Sequence, residues 1–277
     1  MTNEPSTSAN FCYRHPDRQS YILCQRCGRT ICPDCQTQAA VGVHCPECVK
    51  EGRASAPRTR PAVLSAFRSS SSAPVVTWSI IAVTVVVYLL QIIPGSPVTQ
   101  ALLYYPPFTY TEPWRMITAV FVHSQGSIFH VLFNMYSLFI FGPILERLVG
   151  RGRFLALYLL SGLGGSVAVL LLAPLTPVVG ASGAIFGLLG AFFVIQRRLG
   201  GNNIQLLVLI GLNLVIGFVP MFNIAWQAHL GGLVVGIAVA LVYLRTRRAD
   251  QRVIQAAMVG GIFAALVAIT VARLLIG

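Results

Sequence analysis

The chain has 277 residues, of which 55% are hydrophobic and only 10% charged, and its formal net charge is +12. So few charges cannot cover the surface of a water-soluble globule of this length, which excludes an ordinary soluble protein and implies surface facing lipid. Nearly all the positive charge is arginine, held in the first 70 residues and in short clusters between apolar runs. No polar domain remains after residue 75 to carry a basic groove, so no nucleic-acid partner is expected.

Residues 11–50 form the first unit. All seven cysteines lie between Cys12 and Cys48. The first 73 residues contain no apolar stretch long enough for a signal peptide, so this unit is expected in the cytoplasm. In a reducing compartment, dense and closely spaced cysteines read as metal binding rather than disulfides. Four two-ligand knuckles are present: Cys12-x-x-His15, Cys24-x-x-Cys27, Cys32-x-x-Cys35 and Cys45-x-x-Cys48. Eight ligands fill two tetrahedral zinc sites with no open position, so the expected Zn2+ ions are structural and none is needed for catalysis. A unit this small has too little core to fold unaided, and the metal supplies the missing stability. His44 adjoins Cys45 and could take its place as a ligand. The knuckle order resembles a B-box-type zinc finger, which implies that pairs one and three hold one zinc and pairs two and four the other. Its expected role is to bind a cytoplasmic protein partner.

Residues 51–73, rich in Ser, Pro, Ala and Arg, read as a flexible linker. Seven apolar runs follow, at about 75–93, 126–145, 154–173, 181–196, 204–219, 225–244 and 254–276. Each is near the roughly 20 residues that a helix needs to cross a bilayer. The charges between them set the orientation, because cytoplasmic loops carry the excess of Lys and Arg. Arg53, Arg58, Arg60 and Arg68 precede run one, and Arg147, Arg151 and Arg153 separate runs two and three. Arg197 and Arg198 separate four and five; Arg245, Arg247, Arg248 and Arg252 separate six and seven. The other connections hold only Glu112 and Arg115. Seven spans are therefore expected, with the amino terminus inside and the carboxyl terminus outside. The long first outer connection, with its Pro, Trp and Tyr, suits an amphipathic stretch in the interface.

Polar groups inside a membrane are expensive, so each that remains is a functional candidate. The spans contain no Asp or Lys, and only Glu146 and Arg273 near their ends. There is thus no HExxH pair for a metalloprotease, no aspartate pair, no Ser–Lys dyad, and no buried carboxylate for ion-coupled transport. What remains is His130 and Asn134 in run two, Ser182 at the head of run four and His229 near the head of run six. Runs two, four and six all travel inward, so these residues fall in one layer below the outer surface. A hydroxyl flanked by glycines, an imidazole flanked by glycines and an amide donor are the parts of an acyl-transfer site. Gly183, Gly187 and Gly190 on run four, with Gly232 and Gly236 on run six, let two backbones approach so that serine reaches histidine. Gly180 and the free amides at the head of run four, Ala181 among them, offer donors to an oxyanion.

Gly180-Ala181-Ser182-Gly183 resembles the GxSG motif of the rhomboid family of intramembrane serine proteases, and His130-Val131-Leu132-Phe133-Asn134 resembles its HxxxN motif. Trp114-Arg115 is similar to its WR pair, and His229 with Gly232 and Gly236 to its sixth-helix motif. The resemblance covers about 75–244. It implies an all-α polytopic membrane protein with a six-helix protease core over 74–248 and an additional seventh helix over 249–277. It implies a Ser182–His229 dyad with no acid, and an oxyanion bound by Asn134, His130 and the backbone beside Ser182. A mobile fifth helix and a cap at about 219–224 would admit a substrate helix, with Phe133 nearby. Phe186 stands where relatives often carry Tyr; it can still pack on His229. The implied activity is endopeptidase cleavage of single-span transmembrane proteins near the outer face of a bacterial plasma membrane. A catalytically inactive relative that only binds transmembrane helices is the alternative.

Overall fold

The computed structural model describes residues 10–39, 41–55, 73–201, 203–219 and 224–276. They fall into two compact units, one within residues 1–60 and one within 61–277.

In the first unit, two small antiparallel ribbons carry the knuckles. Strand β1 (Phe11–Cys12) pairs with β2 (His15–Gln19), and β3 (Thr37–Gln38) pairs with β4 (Val43–His44). Helix α1 (Pro46–Ser55) follows. Two-stranded ribbons bury too little apolar area to be stable alone. The interior here consists of Ile31 and the sulfurs themselves: Cys12, Cys24, Cys32, Cys35, Cys45 and Cys48. The helix runs on through Ser55, so residues 51–55 of the expected linker are helical. The rest of that linker, residues 56–72, lies outside the described residues.

The second unit is built of helices. Each of the apolar runs carries one: α2 (Val75–Gln91), α5 (Ile128–Val149), α6 (Arg151–Leu172), α7 (Ser182–Arg198), α8 (Ile204–Gly217), α9 (Trp226–Arg245) and α10 (Arg252–Ile276). Short α3 (Val98–Leu102) and α4 (Arg115–Thr118) lie in the connection between α2 and α5. Among the described residues, four helices are long and apolar enough to cross a membrane: 128–149, 151–172, 226–245 and 249–276. The apolar helices over 75–91 and 204–217 are shorter.

Helices α6, α7 and α9 form a central trio, each packed on the other two. Glycine makes that packing close. A Cβ on Gly232 would run into the Gly183 carbonyl, and one on Gly236 into the Gly187 backbone. Without a hydrophobic drive between helices in lipid, such small-residue faces are what bring backbones together. The outer helices are held more lightly. Helix α8 buries only Leu206, Ile210 and Gly217, and α10 only Gln255 and Leu266. At its start α10 is clipped to the trio by polar bonds. Arg153 Nε donates to Gln255 Oε1 (2.5 Å), and Gln255 Nε2 donates to Thr246 Oγ1 (2.7 Å).

Glu146 explains why α5 outlasts its apolar run, which stops at Leu145. Contrary to the expectation of no buried carboxylate, Glu146 is 3% exposed, but its carboxylate bonds are structural, accepted from Val76 N (3.0 Å), Thr77 N (2.7 Å) and Thr77 Oγ1 (2.7 Å). It therefore caps the first turn of α2, where free amides and the helix dipole favour an anion. Glu146→Ala strands buried donors and is expected to cost roughly 3 kcal/mol, by the penalty for losing bonds to a charged group. Glu146→Gln, which keeps an acceptor, should cost less. Denaturant titration in detergent micelles measures both; equal stability of Glu146→Ala and the wild type would show that the cap is unimportant.

Candidate active site

Gly180 has a φ of +118°, a conformation that side-chain-bearing residues rarely adopt. The turn it makes brings Ser182 to the first position of α7. Its backbone N–H there has no partner within the helix. The turn is anchored from the connection between α2 and α5. Gly180 N donates to Ala119 O (3.0 Å), and Val178 N and O bond Tyr104 O (2.7 Å) and N (3.0 Å).

From α9, His229 faces this turn. Its Nε2 lies 2.9 Å from Ser182 Oγ, and the residue is 6% exposed. Phe186, one turn beyond the serine, stacks on the imidazole with centroids 4.1 Å apart and planes at 11°. The phenyl ring thus fills the packing role expected of it and fixes the imidazole plane. Among the described residues nothing hydrogen-bonds His229 Nδ1, and no carboxylate reaches the ring. A neutral ring protonated at Nδ1 leaves Nε2 free to accept the serine proton.

Beside the serine, α5 supplies His130 and Asn134. Ser124 N donates to His130 Nδ1 at 3.2 Å. With Nδ1 accepting, the neutral ring carries its proton on Nε2. The place where a Cβ of Gly180 would stand is 2.8 Å from that Nε2 and 3.8 Å from Ser182 Oγ. Donor and hydroxyl therefore border one small space, which a side chain at residue 180 would fill. Asn134 Nδ2 donates to His130 O at 2.7 Å and keeps a second proton.

Ala181 differs from its expected role. Its N–H donates to His123 Nε2 at 3.4 Å, and the residue is fully buried. That amide is already engaged, which leaves Ser182 N–H, His130 and Asn134 as the available donors. His123 is a further residue of the site, one that motif and span position do not single out. It is 0% exposed and its ring centroid lies 5.2 Å from that of His130. Burial, and then the nearby His130, lowers its pKa to about 3, so it is a neutral acceptor for Ala181. In the sequence it follows Val120-Phe121-Val122 in the connection before run two, where a polar residue carries no membrane penalty.

Trp114 and Arg115 lie away from the dyad. Arg115 pairs with Glu112, donates to Gln100 O and to Leu103 O (3.3 Å), and lies over the Phe108 ring. It pins the connection that carries the Gly180 anchors. Trp114 is exposed.

The metal-ligand candidates belong to the first unit. Cys12, His15, Cys32 and Cys35 form one quartet and Cys24, Cys27, Cys45 and Cys48 another, with the ligand atoms of each within 4.8 Å of one another. The quartets join knuckle one to three and two to four, and they contain Cys45 rather than His44. His15 Nδ1 lies 3.7, 3.4 and 3.5 Å from the sulfurs of Cys12, Cys32 and Cys35. The sulfurs of Cys27 and Cys45 are 3.7 Å apart. A tetrahedral zinc with its usual bond lengths sets N–S and S–S edges of about 3.5 and 3.8 Å, so both quartets fit that ion. Burial, and then neighbouring thiols, pushes Cys35 up to about 11 and Cys48 to about 12. Against burial, hydrogen bonds from neighbouring backbone and side chains lower Cys12 and Cys24 of the same quartets to about 6. A bound cation would favour the thiolate form of the remaining sulfurs as well.

The rhomboid domain model matches residues 110–246, within the helical unit. The rhomboid protease GluP of Bacillus subtilis is 36% identical over 181 residues, covering 60% of this chain and 34% of GluP. The rhomboid-family protein YdcA of the same organism is 37% identical over 147 residues, covering 51% of this chain and 71% of YdcA. The rhomboid protease AarA of Providencia stuartii is 27% identical over 220 residues, 66% of this chain and 77% of AarA. The chain thus spans about a third of the length of GluP and somewhat over two thirds of YdcA. With a family model on the helices that carry Ser182 and His229, and a relative this similar over most of its own length, the chain belongs to the rhomboid family.

Proposed function

We propose that the protein is an intramembrane serine endopeptidase that cleaves single-span transmembrane proteins near the outer face of the membrane. A rhomboid-family chain with four long apolar helices is an integral membrane protein. The observation that carries the reading is the 2.9 Å contact between Ser182 Oγ and His229 Nε2. In this mechanism Oγ attacks the scissile carbonyl while Nε2 takes its proton. The developing oxyanion is met by Ser182 N–H, His130 Nε2–H and Asn134 Nδ2–H. His229 then protonates the leaving amine, and water, activated by the same nitrogen, releases the acyl group. The names of GluP and AarA as rhomboid proteases support the activity. An inactive, helix-binding role is disfavoured because both dyad members are present and bonded.

The remaining parts of the reading follow from charge and ligand chemistry. The chain has seven spans in a bacterial plasma membrane, with its amino terminus cytoplasmic and its carboxyl terminus external. Lightly held α8 is the gate for the substrate helix; residues 220–223 of the expected cap lie outside the described residues. Phe133 is exposed on α5, which suits a residue that meets the substrate helix. The two quartets hold structural Zn2+, and the folded finger binds a cytoplasmic protein partner.

The test is cleavage of a single-span substrate by the purified protein in liposomes, with product sequencing to locate the cut. Scission near the outer boundary that depends on Ser182 supports the reading; intact substrate under all conditions refutes it. Asn134→Ala should lower turnover by on the order of 10²–10³ while leaving measurable activity, as for loss of one oxyanion donor. An unchanged rate would reduce Asn134 to a packing residue.

A further inference from the structure

Gln91 is the last residue of α2, and its carboxamide is 1% exposed. It does not face the dyad. Instead it grips the backbone of His123 from both sides: Nε2 donates to His123 O (2.9 Å), and Oε1 accepts from His123 N (2.9 Å). The second proton of Nε2 goes to Thr99 Oγ1 at 2.9 Å, and Gln125 Nε2 donates to the Gln91 carbonyl. Both carboxamide atoms and the backbone carbonyl of this residue are thereby committed to the connection before α5.

The His123 carbonyl and the Ser124 N–H belong to one peptide group. Such groups are planar and trans, and none among the described residues is cis. The carbonyl and the N–H therefore point in opposite directions from a rigid plate. Gln91 holds one edge of that plate, and the other edge donates to His130 Nδ1 at 3.2 Å. A chain of bonds runs from the Gln91 amide through the 123–124 peptide to the ring, and each link polarises the next. Its last member is the proton on His130 Nε2, the one facing the space beside Ser182 Oγ.

We propose that Gln91 is a positioning residue for the oxyanion site, holding the 123–124 peptide so that His130 stays in the tautomer that donates from Nε2. The role rests on the protease reading for its kinetic consequence, but not for its structural one. If the plate turns, the Ser124 N–H leaves Nδ1, and the proton redistributes between the two ring nitrogens. A donor aimed at the developing charge is then lost in a fraction of molecules.

The experiment uses the full chain labelled with 15N-histidine, in detergent and in liposomes, as wild type, Gln91→Leu and Gln91→Glu. Leu removes both bonds to His123. Glu keeps the acceptor for His123 N–H but replaces the donor to its carbonyl with an oxygen, at equal size. In the wild type the His130 Nδ1 signal should be that of an unprotonated acceptor and the Nε2 signal that of a protonated nitrogen. In each variant that folds, as judged by the remaining histidine signals, the two should move toward exchange between tautomers. Turnover should fall about tenfold with KM within about twofold, less than the ~10²–10³ for deleting a donor outright. Thr99→Val, which removes only the third partner of the same amide, should keep both the tautomer and the rate. Unchanged His130 signals and turnover in folded Gln91→Leu and Gln91→Glu would overturn the proposal. A wild type that cleaves nothing yet shows the tautomer shift in the variants would sink the protease reading and leave this one standing.

Discussion

Ser182→Ala is expected to abolish cleavage of a single-span substrate while the protein stays folded, and His229→Ala is expected to abolish it too. Ser182 provides the only hydroxyl bonded to His229 among the described residues, and the imidazole has no other hydrogen-bond partner there. Removing either leaves no nucleophile–base pair, so the two losses should be alike and their combination no worse than each alone. In hydrolases with a Ser–His pair, such losses are on the order of 10⁴ or more, and the residual rate comes from the oxyanion site. Ser182 is small and half-buried, so Ser182→Ala empties little space and melting in detergent should shift by little. His229→Ala removes a buried ring stacked on Phe186 and is expected to lower the melting temperature more, with the fold retained. The measurement is single-turnover cleavage by purified variants in liposomes; substantial proteolysis by Ser182→Ala would refute the serine mechanism.

Chelation should unfold the first unit and spare the second. The interior of residues 10–55 is the ligand set with Ile31, so little apolar burial remains once the metal is gone. Structural zinc contributes about 10–16 kcal/mol in small fingers, as much as the whole stability of an ordinary domain. A strong chelator is thus expected to expose the six buried cysteines and to release Cys27, already exposed, so that all seven react with a thiol reagent. The groups that hold the dyad and its donors, from Gln91 to Gly232, all come from the helical unit. Cleavage of a generic span should persist under chelation, and a protein starting near Ala73 should keep its chemistry. If the truncated protein folds but is inactive, and adding back the zinc unit restores it, the finger is part of the enzyme. Failure of the chelator to expose any thiol would remove the metal from the account.

Much of the site was legible because polar side chains are scarce within the apolar runs. Ser182, His229, His130 and Asn134 stood out against a background of Leu, Val and Ala, and charge alternation placed them in one layer. The glycines were legible for a similar reason, since Gly183 with Gly232 and Gly187 with Gly236 imply two backbones in contact. Two residues that organise the site, Gln91 and His123, and one that organises the fold, Glu146, were not. Gln91 lies at the end of an apolar run, where polar residues are ordinary, and its partner is 32 positions away. His123 lies in a connection, where a histidine carries no membrane penalty to flag it. Glu146 looked like the end of a span, yet its partners across a distant helix make it a cap and let α5 continue to Val149. The Ala181 amide illustrates the same limit: a free donor at a helix start is a local inference, and only tertiary structure brings His123 Nε2 to it. In the first unit the knuckle pairing was readable by resemblance, whereas the choice of Cys45 over His44 needed the fold of β4 and α1.

Covalent labelling of the purified full-length protein by a serine-directed fluorophosphonate, mapped by peptide mass spectrometry, tests the central claim most directly. The reagent needs an activated hydroxyl and does not depend on knowing the substrate. A dyad with Ser182 Oγ 2.9 Å from His229 Nε2 predicts one labelled residue, Ser182, and loss of that label in His229→Ala. Labelling at another serine, or equal labelling of Ser182 when His229 is absent, would contradict it.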